Sequence, residues 1–322
     1  MPTFLEAVRE GLYQEMERDP SVIVLGEDVG EGGVFRATEG FVEKFGRERV
    51  IDSPLAESSI IGVSIGASLN GLRPVPEIQF ADYIHPAMNQ LINEAAKMRY
   101  LTEGMFNCPI TVRAPFGGGV HGGPFHSQCV EALFFHVPGL KIATPATAED
   151  AKGLLLTAIR DPDPVLFFEH KYLYRRQRAE SLPDDAIPFG QAKVRREGKH
   201  MSVVTYGAMV HKALEAAELA DREGVSVEVL DLRTLCPLDR KAVLDSVKKT
   251  SKCIVLHEDS KTGGIGAEIS ALLSEEAFEY LDGPIVRIAG PDVHFSFSAV
   301  LEHAYLPSTE RILEGIRKLA AY

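Results

Sequence analysis

Apolar and polar positions follow two periods along the chain, and the changes from one to the other mark out its elements. Phe4, Ala7, Val8, Leu12 and Met16 recur every three or four residues, which predicts a helix with one buried face. Thr3 and Glu6 make a capping box ahead of it, and Asp19-Pro20 ends it. The short apolar run 21–25 reads as a strand, with Gly26-Glu27-Asp28-Val29-Gly30 as the loop that follows. Further strands are predicted over 75–78, 110–114 and 165–168, with a long helix over 84–100 and another over 148–160. Residues 58–69 are small or apolar and carry no charge, which predicts a buried helix; Pro54 favours an extended or turn segment before it. Strand and helix alternate throughout, the pattern of a mostly parallel α/β sheet.

The charged, proline-bearing stretch 175–188 reads as a linker, so two domains are expected, 1–185 and 186–322. A length of 322 residues agrees with that division at about 150 residues per domain. Beyond the linker, strands over 202–206, 226–230, 253–257 and 285–288 interleave with helices near 209–223, 239–249 and 265–279, and a last helix runs over about 308–321. This is a second, smaller α/β domain. Gly263-Gly264-Ile265-Gly266 follows a strand and opens a helix, yet position 269 is Ile where a dinucleotide fingerprint takes a third small residue. A tight strand-to-helix turn is expected there.

With 45% hydrophobic and 25% charged residues, the composition is that of an ordinary globular protein. A formal charge of −12 argues against nucleic acid as a partner and favours a basic protein surface. Cys108, Cys129, Cys236 and Cys253 stand far apart without a Cys-x-x-Cys pair, so free thiols in a reducing compartment are expected rather than zinc or disulfides. The N-terminus lacks a basic region followed by an apolar core, and no uncharged apolar run is long enough to span a membrane. A cytoplasmic location is the expectation.

Candidate chemistry gathers at two places. Glu57 sits where an extended segment becomes an uncharged helix, and a carboxylate there has two readings. It stabilises the positive end of the helix dipole, worth roughly 0.3–1 kcal/mol. Alternatively, partly desolvated and with its pKa raised above the reference of about 4.3, it exchanges a proton with a bound heterocycle. The second place is 117–128, where five glycines fall within seven residues; such a run lets the backbone approach a ligand or another chain closely. His126 stands at its end, and His121, five positions earlier, does not give helical metal-ligand spacing.

Several separated motifs then carry a resemblance that runs nearly end to end: Leu25-Gly26-Glu27-Asp28-Val29-Gly30, Gly32-Gly33-Val34-Phe35, Pro54-Leu55-Ala56-Glu57, Glu77-Ile78-Gln79-Phe80-Ala81-Asp82-Tyr83, His126-Ser127-Gln128 and Asp231-Leu232-Arg233-Thr234. The chain resembles the beta subunit of the thiamine-diphosphate-dependent decarboxylating component of 2-oxo acid dehydrogenase complexes. The resemblance implies a transketolase-like pyrimidine-binding domain with a mostly parallel sheet, followed by a smaller transketolase C-terminal-type α/β domain. It assigns Glu57 to protonation of the cofactor's pyrimidine ring, with Tyr83 against that ring and Leu55 and Gln79 nearby. Glu27 matches an acidic residue that relays protons between two thiamines, and His126 the family's active-site histidine. Potassium is implied at positions matching Ile110, Ala158, Ile159, Asp161 and Asp163, where Asp163 replaces a frequent Asn.

Magnesium diphosphate needs hard oxygen ligands, which thiamine enzymes supply from a Gly-Asp-Gly motif followed by Asn. No such triplet occurs in this chain, so an alpha subunit is expected to bind the Mg2+ and complete an α2β2 heterotetramer. Further partners implied are the binding domain of a dihydrolipoyl acyltransferase core and its lipoyl domain. His121-Gly122-Gly123-Pro124-Phe125-His126-Ser127-Gln128 and Phe80-Ala81-Asp82-Tyr83-Ile84 look more like branched-chain 2-oxo acid members than pyruvate ones. A pyruvate or acetoin dehydrogenase, and in a different class a non-catalytic scaffold, stand as alternatives.

Overall fold

In a computed structural model describing all 322 residues, the N-terminal capping box is formed: Glu6 N–H donates to the Thr3 hydroxyl and Thr3 N–H to the Glu6 carboxylate. Helix α1 (Phe4–Arg18) therefore starts where its apolar stripe starts, and Phe4, Ala7, Val8, Leu12 and Met16 are all buried. Two compact units follow from the chain's contacts: Met1–Phe116 with Leu133–Phe189, and Gly117–Ala132 with Gly190–Tyr322. The contacts divide the chain between Phe189 and Gly190. The glycine loop, expected within the first domain, goes with the second unit.

The first unit is built on parallel strands β1 (Val22–Gly26), β2 (Val50–Asp52), β3 (Arg73–Glu77), β4 (Thr111–Phe116), β5 (Lys141–Ala143) and β6 (Val165–His170), in the order β5-β6-β4-β3-β1-β2. Most strand residues are buried, as the unbroken apolar runs require when both faces are covered. From β1 the chain goes to one side to make β2 and then to the other to make β3. The order thus reverses at β1, and in open α/β sheets such a switch point is where ligands bind, outside the carboxyl ends of the strands. The helices are α1, α2 (Phe41–Phe45), α3 (Glu57–Leu69), α4 (Met98–Leu101), α5 (Glu131–Phe135), whose first residues belong to the other unit, and α6 (Ala148–Arg160).

Two elements depart from the expected pattern. The helix over 84–100 is broken into 3-10 turns at His85–Ala87 and Ala95–Lys97, a π-helical turn at Gln90–Glu94, and α4. Pro86 lacks an N–H and sits in the first 3-10 turn, while the wider π turn lets Leu91, Ala95 and Ala96 all reach the interior. Helix α3 begins and ends as expected but is buried on one side only: Ser59, Gly62, Val63 and Gly66 are exposed. Absence of charge predicted full burial, and the helix instead presents an uncharged face outward.

The second unit has a five-stranded sheet in the order β12-β11-β8-β9-β7, made of β7 (Lys193–Arg196), β8 (Met201–Thr205), β9 (Val227–Asp231), β11 (Cys253–Ser260) and β12 (Val286–Gly290), with a short strand β10 (Thr234–Cys236) after β9. All pairings are parallel except the edge strand β7 with β9. Helices α7 (Met209–Arg222), α8 (Arg240–Thr250), α9 (Ile265–Glu276), α10 (Ala299–Tyr305) and α11 (Thr309–Ala320) complete it. Gly263 and Gly264 make the expected tight turn into α9, with the His257 ring so close to Gly264 that a Cβ there would meet it at 2.6 Å. The molecule is mixed α/β with mostly parallel sheets. The four cysteines are free, and no helix is long and apolar enough to cross a membrane.

Candidate active site

Five sequence-predicted residues follow three neighbouring strands of the first unit. Glu27 directly follows β1, Gln79 and Tyr83 follow β3, and Leu55 and Glu57 follow β2, so all five lie at carboxyl ends of neighbouring strands. Glu57 is the first residue of α3, and no side chain caps that helix. The residue is only 8% exposed, and no hydrogen bond or ion pair within the chain engages its carboxylate. Two positions before it, Leu55 is 78% exposed, an apolar side chain with nothing of this chain over it.

Glu27 is half-buried, and its pKa lies above the ordinary carboxylate value because burial disfavours its charge and the charges of Glu57, Asp28 and Glu77 repel it. Gln79 fixes the loop: its Nε2 donates to the Glu27 carbonyl (3.3 Å) and to Asp28 Oδ2 (3.4 Å). Tyr83 meets Phe80 edge to face with ring centroids 6.2 Å apart, and Phe80 meets Phe35 in the same way at 5.4 Å.

Beneath these residues lies a network that sequence reasoning missed. Arg113 on β4 is buried, and its guanidinium bonds Glu169 through Nε (2.6 Å) and Nη2 (2.9 Å) and Glu77 through Nη1 (2.5 Å). Tyr174 donates to Glu169 Oε2 (2.6 Å), and its ring meets Phe35. Burial works to lower the Arg113 pKa, yet Glu169 and Glu77 outweigh it and hold the guanidinium charged. Burial raises Glu77. Strand order alone would bring Glu77, Arg113 and Glu169 side by side, since β3, β4 and β6 are neighbours.

His126 belongs to the second unit and is half-buried after the 3-10 turn Gly123–Phe125. Its loop is closed by Gly117 N–H donating to the Gln128 carbonyl (3.1 Å). In the same unit Glu131 is buried and accepts from the Tyr206 hydroxyl (2.7 Å) through one oxygen, the other having no partner. Burial, then the charge of Asp259, pushes Glu131 up to about 8; burial pushes Asp259 up to about 6 and His257 down to about 4. His257-Glu258-Asp259 in a row at the end of a strand was the one linear signal for this cluster.

The positions considered for potassium lie together in the first unit. Arg73 donates to the carbonyls of Ile159 (2.9 Å) and Asp161 (3.2 Å), while the carbonyls of Ile110 and Ala158 accept from Val165 and Asp161 N–H. Lys141 bonds both Asp161 oxygens (2.7 and 2.8 Å), and Asp163 pairs with Arg99 (2.6 Å). An ion held there has to share carbonyls with a guanidinium.

Comparison with known proteins gives one consistent answer. Residues 1–177 match the family model of the transketolase pyrimidine-binding domain, and residues 190–312 that of the transketolase C-terminal domain. The chain is 50% identical to the 2-oxoisovalerate dehydrogenase subunit beta of Bacillus subtilis over 99% of both chains. It is 46% identical to the pyruvate dehydrogenase E1 component subunit beta of the same organism, again over 99% of both. A mitochondrial 2-oxoisovalerate dehydrogenase subunit beta of Arabidopsis thaliana is 47% identical over 98% of this chain and 88% of its own. Among solved structures, a split-gene transketolase described as an inactive beta4 tetramer has the same fold, with a TM-score of 0.82 at 24% identity over 99% of this chain and 98% of its own.

Proposed function

The chain belongs to the E1 beta subunits of 2-oxo acid dehydrogenases, with transketolase pyrimidine-binding and C-terminal domains, and we propose that it supplies the pyrimidine half of a thiamine diphosphate site in an α2β2 enzyme. The observation that carries this reading is Glu57, a nearly buried residue whose carboxylate has no partner within the chain, at the start of the helix that follows β2. A carboxylate held at such a place without a partner from its own chain is free to bond a ligand. A flat heterocycle with a basic ring nitrogen fits, because Glu57 can hold a proton at that nitrogen while exposed Leu55 and the Tyr83 ring cover its faces.

Thiamine diphosphate, held with its pyrimidine against Glu57, Leu55 and Tyr83, would supply a nucleophilic ring carbon and an electron sink for the decarboxylation of a 2-oxo acid. Glu57 sets the protonation of the pyrimidine, Gln79 holds the Glu27 loop in place, and Glu27 stores a proton beside Glu57. His126 donates a proton to a dithiolane sulfur when the acyl group passes to a lipoyl domain, a task suited to an imidazole. The alpha chain supplies the magnesium and diphosphate ligands that this chain lacks. The uncharged outward face of α3 supports such an assembly.

The substrate is a branched-chain 2-oxo acid; the 46% identical pyruvate relative makes pyruvate the second reading. The location is the cytoplasm, and the assembly docks on an acyltransferase core. Potassium at Ile110, Ala158, Ile159, Asp161 and Asp163 is a proposal of its own. It is checked by whether the unfolding midpoint rises in potassium chloride over choline chloride at equal ionic strength.

The test of the main reading is Glu57→Gln in the enzyme copurified with its alpha chain. The amide keeps the shape and loses the proton, so cofactor binding should persist while hydrogen–deuterium exchange at the thiazolium carbon slows by about 10²–10⁴-fold. Exchange at the wild-type rate would return Glu57 to a helix-dipole role. Assaying the wild type against 3-methyl-2-oxobutanoate and pyruvate separates the two substrates.

A further inference from the structure

The glycine loop of the second unit is fastened by two buried carboxylates that the reading above leaves unused. Gly118 N–H donates to Glu258 Oε1 (2.5 Å), at the end of β11. Gly119 N–H donates to Glu302 Oε1 (3.0 Å), and His121 N–H reaches both Glu302 oxygens (3.2 and 3.1 Å). The imidazole Nδ1 of His121 lies 2.5 Å from Glu302 Oε2. Glu302, on α10, is 1% exposed and Glu258 5%. One carboxylate thus gathers three donors from a stretch of loop that has few side chains with which to hold itself.

The loop also lies against the segment leading into α10 so closely that only glycine fits. A Cβ on Gly118 would come within 2.7 Å of the Phe295 ring, and one on Gly123 within 2.4 Å of the Phe297 ring. Phe295 is itself backed by Tyr305 of α10, with ring centroids 3.9 Å apart. His121 adopts a left-handed backbone with φ 60°, a conformation that costs a side-chain-bearing residue energy and persists only where neighbours impose it. Glu302 is the neighbour in contact with it. His126 follows five residues on, at the far end of the fastened stretch.

We propose that Glu302, seconded by Glu258, is a positioning residue for His126: it clamps 117–126 in one conformation, so that the imidazole is presented for proton transfer to the lipoyl sulfur. The proposal rests on the proton-donor role given to His126. Charge-assisted hydrogen bonds to a buried carboxylate are stronger than neutral ones, which suits a clamp on backbone that glycine leaves free to wander.

The test pairs two readouts on Glu302→Gln, which keeps volume and an acceptor oxygen for the backbone and loses the charge. In the full-length chain, amide hydrogen exchange at 118–123 should speed up by about tenfold, while exchange in β8 and β9 stays at the wild-type rate. In the α2β2 enzyme, reductive acylation of a free lipoyl domain should fall by a similar factor through kcat, and decarboxylation followed with an artificial electron acceptor should not change. Glu258→Gln should show the same pattern more weakly. Wild-type exchange at 118–123, or faster exchange with undiminished acylation, would overturn the clamp. Equal loss in both assays would overturn it too, by making Glu302 a general structural residue. His126→Ala checks the underlying role separately: if acylation survives that change, the donor assignment fails, while the exchange data still report whether Glu302 orders the loop.

Discussion

Glu27 holds a proton more tightly than a free glutamate, through partial burial first and then the charges of Glu57, Asp28 and Glu77. A carboxyl group with a raised folded-state pKa contributes stability that is full below its unfolded value near 4.5 and lost as pH rises through the folded value. Glu27→Gln removes that loss. Its unfolding midpoint should lie above the wild type at about pH 7 and converge with it near about pH 4, as thermal melts across that range would show. The candidate residues named from the sequence, Glu57, Gln79 and Tyr83, stand just after strands within short motifs. Those that were not legible bond across long separations: Arg113 to Glu77 over 36 residues, Arg113 to Glu169 over 56, Gly119 to Glu302 over 183. No local pattern announces such a pair.

At the scale of elements, α3 separates what periodicity reports from what burial decides. Its lack of charge made the helix recognisable and its limits correct, but an uncharged face is equally suited to the interior of a fold and to another chain. Val63 is 61% exposed in the middle of that face. Val63→Arg should leave the melting of the isolated chain within about 0.5 kcal/mol of wild type, as surface changes do. The same substitution should abolish copurification with the alpha chain, because a charge buried at an interface without a partner is strongly unfavourable. Mass measurement of the copurified complex checks it, and an intact heterotetramer would move the assembly surface elsewhere. The segment 84–100 teaches the converse: its apolar spacing predicted one helix, and the interior asked for a π turn that helical periodicity cannot express.

For the molecule as a whole, the second unit carries ionisable groups whose burial opposes their charge. Glu131 at about 8 and Asp259 at about 6 are raised from 4.5 and 3.8 and titrate as an interacting set, so their stabilisation is lost as pH rises through about 6 to 8. His257, lowered from 6.5 to about 4, contributes stability that is lost as pH falls through that interval. The two carboxyl groups outweigh the histidine, so this set makes stability fall as pH rises from about 4.5 to about 8. Glu131→Gln should flatten the alkaline side, raising the midpoint at about pH 8.5 by on the order of 5 °C with little change near about pH 5. Differential scanning calorimetry reads both limbs, and a variant that melts like the wild type at alkaline pH would locate the titration elsewhere. The sequence by itself determined the two α/β halves, most strands and helices, and the carboxylate at the start of α3, because these follow from short-range periodicity and from chain direction at strand ends. Only the tertiary structure decided that the order of strands reverses at β1, that 117–132 joins the second unit, and that Arg113 and Glu302 each gather charges and donors from remote segments. Such arrangements arise from which strands become neighbours and how a loop docks, and a single chain read in order contains no measure of either.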